Sequence, residues 1–138
     1  MLRLDSIKVG DALPTREFLC NNVQQFLYNA ALWNPHRIHF DLPYATEVEG
    51  YTGLVVAGPL MGDWLTQCVT DWLDDEGNLR YFEYSNRKAA YTGEVVYAGG
   101  KVTSVDTESG DVGLELQIRN AADEVIAPGA AVVRFPLA

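Results

Sequence analysis

Cysteine is scarce in this chain, with Cys20 and Cys68 its only examples among 138 residues. They lie far apart and form no CxxC or metal-spaced set, which excludes a disulfide framework and a zinc ribbon. Two reduced, partly buried thiols are expected, in keeping with a cytoplasmic address. Long apolar runs are missing too. No segment approaches the roughly 18 apolar residues of a membrane helix, and the opening "MLRLDSIKVG" lacks the apolar stretch of a signal peptide. The chain reads as soluble and unexported, with no membrane partner. Basic residues are few, ten against nineteen acidic, giving a net charge of -9 and a pI near 4.5. Such a charge repels a phosphate backbone over a Debye length of about 8 to 10 Å, so nucleic acid is not an expected partner. Repeats, low-complexity tracts and linkers are also absent, which leaves residues 1–138 as one expected domain.

Apolar residues are plentiful at 48%, enough to offset the entropy of ordering the chain. "VGDALPTREFLC" supplies a first strand. Val23 to Trp33 then places Val23, Phe26, Leu27, Ala30 and Ala31 at helical spacing, and Pro35 helps to end that helix. Irregular chain follows, with one helical turn at Tyr44 to Val48 and a short buried run at "LVVAG". From Pro59 to Leu73 the apolar stripe is broadest, carrying Leu60, Trp64, Leu65, Cys68, Val69, Trp72 and Leu73, with Pro59 at a natural start and Gly77 at a natural stop. The aromatics of both helices fall at core spacing, which favours packing over an aromatic acyl pocket. Beyond Leu79 the period shortens to that of strands, in four segments separated by Gly, Asp and Asn turn signals. The order predicts an α+β domain, an antiparallel sheet of five or six strands wrapped around one long helix, which is the hot dog arrangement.

Both histidines fall in "WNPHRIHFD". Histidine is the side chain whose ordinary pKa, about 6.5, lets it give and take protons near neutrality. As metal ligands, His36, His39 and Asp41 would need further His or paired Cys to complete a shell, and the chain offers none, so no metal is expected.

The run "ALWNPHRIHFDLPYATEVEGYTGLVVAGPL", residues 31–60, resembles the MaoC-like hydratase/dehydratase family of hot dog proteins. It is most similar to the subgroup of 3-hydroxyacyl-thioester dehydratases and itaconyl- or mesaconyl-CoA hydratases, whose segment also runs "HRIH.D..YA" and then "EGY.GLVV.GPL". The family motif Gly-Asp-x-Asn-Pro-x-His, aligned on "IHFD", puts His39 on the catalytic histidine, Asn34 on the catalytic aspartate and His36 on the asparagine. An amide takes no proton at neutral pH, so proton transfer would rest on His39, with Asn34 orienting the water or the ring.

The resemblance implies reversible addition of water to a 2-enoyl thioester, within fatty acid metabolism. His39 would serve as base, and the backbone N–H of Gly58, at the start of the long helix, would donate to the enolate oxygen. Gly58 also suits a tight strand-to-helix turn, and Ala57 stands where many relatives have histidine. His36 is a candidate substrate contact. Arg37 is either a substrate contact or an exposed, locally paired arginine. Arg87 and Lys88, with Asn86 and Lys101, are either a seat for coenzyme A phosphates or an ordinary strand edge. The chain's acidity favours acyl-CoA over an acidic carrier protein as substrate. No cofactor is implied beyond the coenzyme A of the substrate, and relatives place the site at a dimer interface, implying a homodimer or higher homo-oligomer. Two alternatives stand beside this: a non-catalytic or half-site subunit of a hetero-oligomer with another hot dog subunit, and a hot dog thioesterase using Asp63.

Overall fold

The computed structural model describes residues 2–137. Among them run β1 (Arg16–Leu19), α1 (Asn22–Ala31), α2 (Gly58–Leu73), β2 (Asn78–Tyr84), β3 (Val95–Val105), β4 (Asp111–Arg119) and β5 (Val125–Arg134). Single helical turns at Arg37–His39 and Tyr44–Val48 lie between the two helices. The strands form one antiparallel sheet in the order β1-β3-β4-β5-β2. This is the hot dog fold expected from the sequence, with five strands.

The α2 helix lies in the hand of that sheet, packed on β2, β3 and β4. Leu60, Met61, Trp64, Leu65, Cys68, Val69 and Leu73 are buried, and burial of each large apolar side chain contributes about 1.5 to 3 kcal/mol. From the sheet, alternate residues Val112, Leu114, Leu116 and Ile118 of β4 point to the same core. Phe18 stacks on Trp64 with ring centroids 4.9 Å apart, fastening the short strand β1 to the helix. Cys20 and Cys68 are both free and buried. No described helix is long and apolar enough to cross a membrane.

Two expectations need correction. The helix ends at Leu73, where its apolar stripe ends, but the residue that stops it is not Gly77: Asp74 adopts the left-handed conformation (φ 48°, ψ 46°) directly after Leu73, and its N–H donates to the Thr70 carbonyl at 3.3 Å. Aspartate tolerates that conformation better than most residues, and Asp75 repeats it at φ 62°.

The larger correction concerns α1. Of its large apolar residues Tyr28 alone packs against the core: Val23, Phe26 and Leu27 are exposed, and Trp33 just beyond the helix is 90% exposed. The buried face carries Gln25 and Asn29. The physical cause lies in what α1 packs against. In the run leading into α2 the Val55 carbonyl and the Ala57 N–H meet the helix, while the Leu54 carbonyl and the Val56 N–H pair with Thr92 and Ala90; buried backbone groups require partners that apolar side chains cannot provide.

Candidate active site

The chain leaves α1 through a Schellman turn: the Trp33 N–H donates to the Ala30 carbonyl at 3.2 Å and the Asn34 N–H to the Asn29 carbonyl at 2.8 Å. The pivot, usually glycine, is Trp33 at φ 55°, a conformation that costs a bulky residue about 1 to 2 kcal/mol. Asn34 Oδ1 accepts the His36 N–H at 3.2 Å, and His36 Nδ1 accepts the Ile38 N–H at 3.3 Å, capping the turn Arg37–His39. Residues three apart on such a turn lie on one side. The rings of His36 and His39 accordingly sit 5.8 Å apart at 61°, His36 exposed and His39 buried.

His39 is held from behind. Its Nδ1 lies 2.7 Å from the Val55 carbonyl oxygen, while the Val55 N–H donates to the Ile38 carbonyl at 3.0 Å. A carbonyl oxygen only accepts, so Nδ1 carries the ring hydrogen and Nε2 keeps its lone pair. Burial holds the imidazole below its ordinary pKa, the Val55 bond opposes this, and His36 adds to it. At neutral pH the ring is an uncharged base.

A pocket of about 400 Å³ opens on this side of α1. Gln25, Asn29, Asn34 and His39 are its polar members, and Phe26, Trp33 and Phe40 supply aromatic surface. Its size suits a small organic ligand. Sequence reasoning missed Gln25 and Asn29. Their signal was available as two amides four residues apart on one helix face, opposite the apolar stripe.

Gly58 opens α2, where its N–H has no intrahelical acceptor and takes no partner among the described residues. Its φ is not positive; glycine is there for room, because a Cβ would run into the side-chain amide of Asn86. The remaining sequence candidates are engaged with neighbours. The Arg37 guanidinium donates to Asp41 Oδ2 at 3.0 and 2.7 Å and lies 4.2 Å over the Tyr44 ring. That pair holds the Asp41 carboxyl below the usual carboxylate range. With Asp41 turned to Arg37 and His39 to Val55, the three possible ligands do not converge; the described residues contain no group of three or more His, Cys, Asp or Glu placed for a metal. Arg87 donates to Ser85 Oγ at 3.0 Å, Lys88 pairs with Glu124, and Lys101 lies 3.8 Å from Glu115. The Tyr28 hydroxyl donates to Asp63 at 2.6 Å, tying α1 to α2.

A rolled antiparallel sheet around one helix, with a histidine turn bonded to the run that leads into that helix, defines the MaoC-like hot dog class. Within it, residues 6–92, more than half the chain, match the model of hydroxyacyl-thioester dehydratase type 2, and the chain belongs to that family. It is 58% identical over 53 residues to the mesaconyl-C(4)-CoA hydratase of Chloroflexus aurantiacus, a stretch of 38% of this chain and 19% of that protein. Against the mitochondrial hydroxyacyl-thioester dehydratase type 2 of Saccharomyces cerevisiae the identity is 30% over 76 residues, 55% of this chain and 26% of that one. The matched segments thus span about a fifth to a quarter of these relatives. In fold, the (R)-hydratase from A. caviae involved in PHA biosynthesis superposes with a TM-score of 0.86 at 18% identity, covering 95% of this chain and 98% of that one.

Proposed function

We propose that the protein is a hydro-lyase that adds water reversibly to a 2-enoyl thioester, with acyl-CoA as substrate. The observation that carries this is the His39 ring, lining the pocket with Nδ1 committed to the Val55 carbonyl and Nε2 left basic. In the hydration direction Nε2 takes a proton from water as the water oxygen bonds to the β carbon. The carbon–carbon π electrons move to an enolate whose charge gathers on the thioester oxygen, and the proton held at Nε2 then passes to the α carbon. Dehydration is the same path reversed. General base catalysis of this kind supplies about 100- to 10,000-fold. The Gly58 N–H, at the positive end of α2, is the donor for the enolate oxygen.

Asn34 fits an orienting role. Its Oδ1 is occupied by the His36 N–H, which leaves Nδ2 as a donor toward the water rather than a base. His36, exposed beside His39, is the nearest candidate contact for the rest of the substrate. Arg37, Arg87 and Lys88 retain exposed positions from which coenzyme A phosphates are reachable once their local partners are exchanged. The net charge of -9 favours coenzyme A over an acidic carrier protein, and the reduced cysteines fit a cytoplasmic setting. The exposed apolar face of α1 suits burial in a homodimer or higher homo-oligomer.

The test is direct. The protein should remove the ultraviolet absorbance of a short 2-enoyl-CoA without releasing free thiol, and His39→Ala should abolish the change. Release of thiol would instead support a thioesterase. A second reading, a half-site subunit of a hetero-oligomer, draws on Asn34 in place of a carboxylate and on the same uncovered face. It predicts activity only after a second hot dog chain is added.

A further inference from the structure

We propose that Gln25 is a positioning residue, whose single carboxamide locks the carbonyl that holds His39 to the backbone amide that leads into α2. Its Nε2 donates to the Val55 carbonyl, and its Oε1 accepts the Ala57 N–H at 3.3 Å and the Cys20 thiol at 3.6 Å. The residue is 2% exposed. The orientation of the amide has one solution: flipped, it would set oxygen against the Val55 oxygen and NH₂ against the Ala57 N–H. The Val55 oxygen therefore receives two donors, Gln25 Nε2 and His39 Nδ1, which fill its two lone-pair directions. Two positions further on, the Ala57 N–H is tied to the other end of the same side chain, one residue before Gly58.

The clamp rests on the proposed role of His39 as base and extends it. One side chain fixes the base and the entry to the oxyanion-facing helix in a common frame, so neither can shift without the other. It also accounts for the roll of α1, which must turn Gln25 inward and so leaves Phe26 and Leu27 outside. Leucine at this position would offer no bonds, asparagine would fall short by one methylene, and a glutamate carboxylate would lack the donor. The titratable groups facing Gln25 are His39, from the turn, and Cys20, from the end of β1; Asn29 lies one helical turn away.

Two variants test this, Gln25→Leu and Gln25→Glu, each read by kinetics and by imidazole nitrogen chemical shifts, which two histidines leave simple to assign. In the native protein His39 should show one tautomer, with hydrogen on Nδ1. Gln25→Leu should lower kcat about 10- to 100-fold with KM changed less than about 3-fold, as expected for a small misplacement of a reacting group, and should mix the tautomers. Gln25→Glu can make both bonds only as the acid. Its kcat should therefore rise as pH falls, while that of the native protein declines. An unchanged tautomer and kcat in folded Gln25→Leu would overturn the proposal, as would a Gln25→Glu pH profile of native shape. Should Gln25→Leu fail to fold, the Glu variant decides. If the native protein hydrates no enoyl thioester, the proposed function fails, and the tautomer comparison still judges the clamp.

Discussion

The helices α1 and α2 are amphipathic in opposite senses. In α2 the apolar stripe faces inward and seven of its side chains disappear into the sheet. In α1 the stripe faces outward, and the amides Gln25 and Asn29 are buried instead. Burial thus follows the partner rather than the helix. The α2 helix meets the apolar inner face of a sheet, whereas α1 meets a backbone run whose polar groups are not all paired by other strands. One helix holds the fold together; the other holds a histidine in place.

The sharpest way to break this contrast is at His39. His39→Ala should lower the hydration rate about 1,000-fold or more while leaving most of the core in place, measured by steady-state kinetics beside thermal unfolding. On the opposite helix, Leu65→Ala should destabilise the protein by about 2 to 5 kcal/mol in denaturant titration, because Leu65 is fully enclosed and a cavity remains. A loss below 1 kcal/mol would mean that α2 is not the structural helix.

Acid should separate the two as well. Burial lowers the pKa of folded His39 below its ordinary 6.5. As pH falls past 6.5 the unfolded chain gains the proton first, so stability from this group is full above 6.5 and is lost on the way down to the folded value. The acid limb of kcat/KM should likewise lie below 6.5, and a midpoint above it would contradict a desolvated, neutral base. Smaller effects belong to the outer face of α1. Trp33→Gly should stabilise the protein by less than about 1 kcal/mol, since the left-handed pivot then carries no side chain, and it should weaken acyl binding at the pocket rim. Phe26→Ser, at an exposed site, should move unfolding by no more than about 0.5 kcal/mol, and a larger loss in concentrated solution would report a covering partner.

Much of α2 and the sheet was legible because apolar period and burial agree there, from Leu60 to Leu73 and along β4. The histidine turn was legible from residue type and from resemblance. The roll of α1 was not: Val23, Phe26 and Leu27 define a face, but a period says nothing of which way a face points. That depends on the Val55 carbonyl and Ala57 amide some thirty residues away, which take the Gln25 side chain as a partner. The residue that stops α2 was not legible for a local reason: Asp74, and not Gly77, takes up the left-handed role that glycine usually fills.

The two thiols sit one in each region. Cys20 hangs on the Gln25 amide beside the pocket, and burial raises its pKa to about 11; Cys68 lies on α2 among core side chains, its pKa raised as well. Neither reacts readily while enclosed, so labelling by an alkylating reagent counts openings of its own neighbourhood. Faster labelling at Cys20 would time the breathing of the first helix, and equal rates would mean that the molecule opens only as a whole.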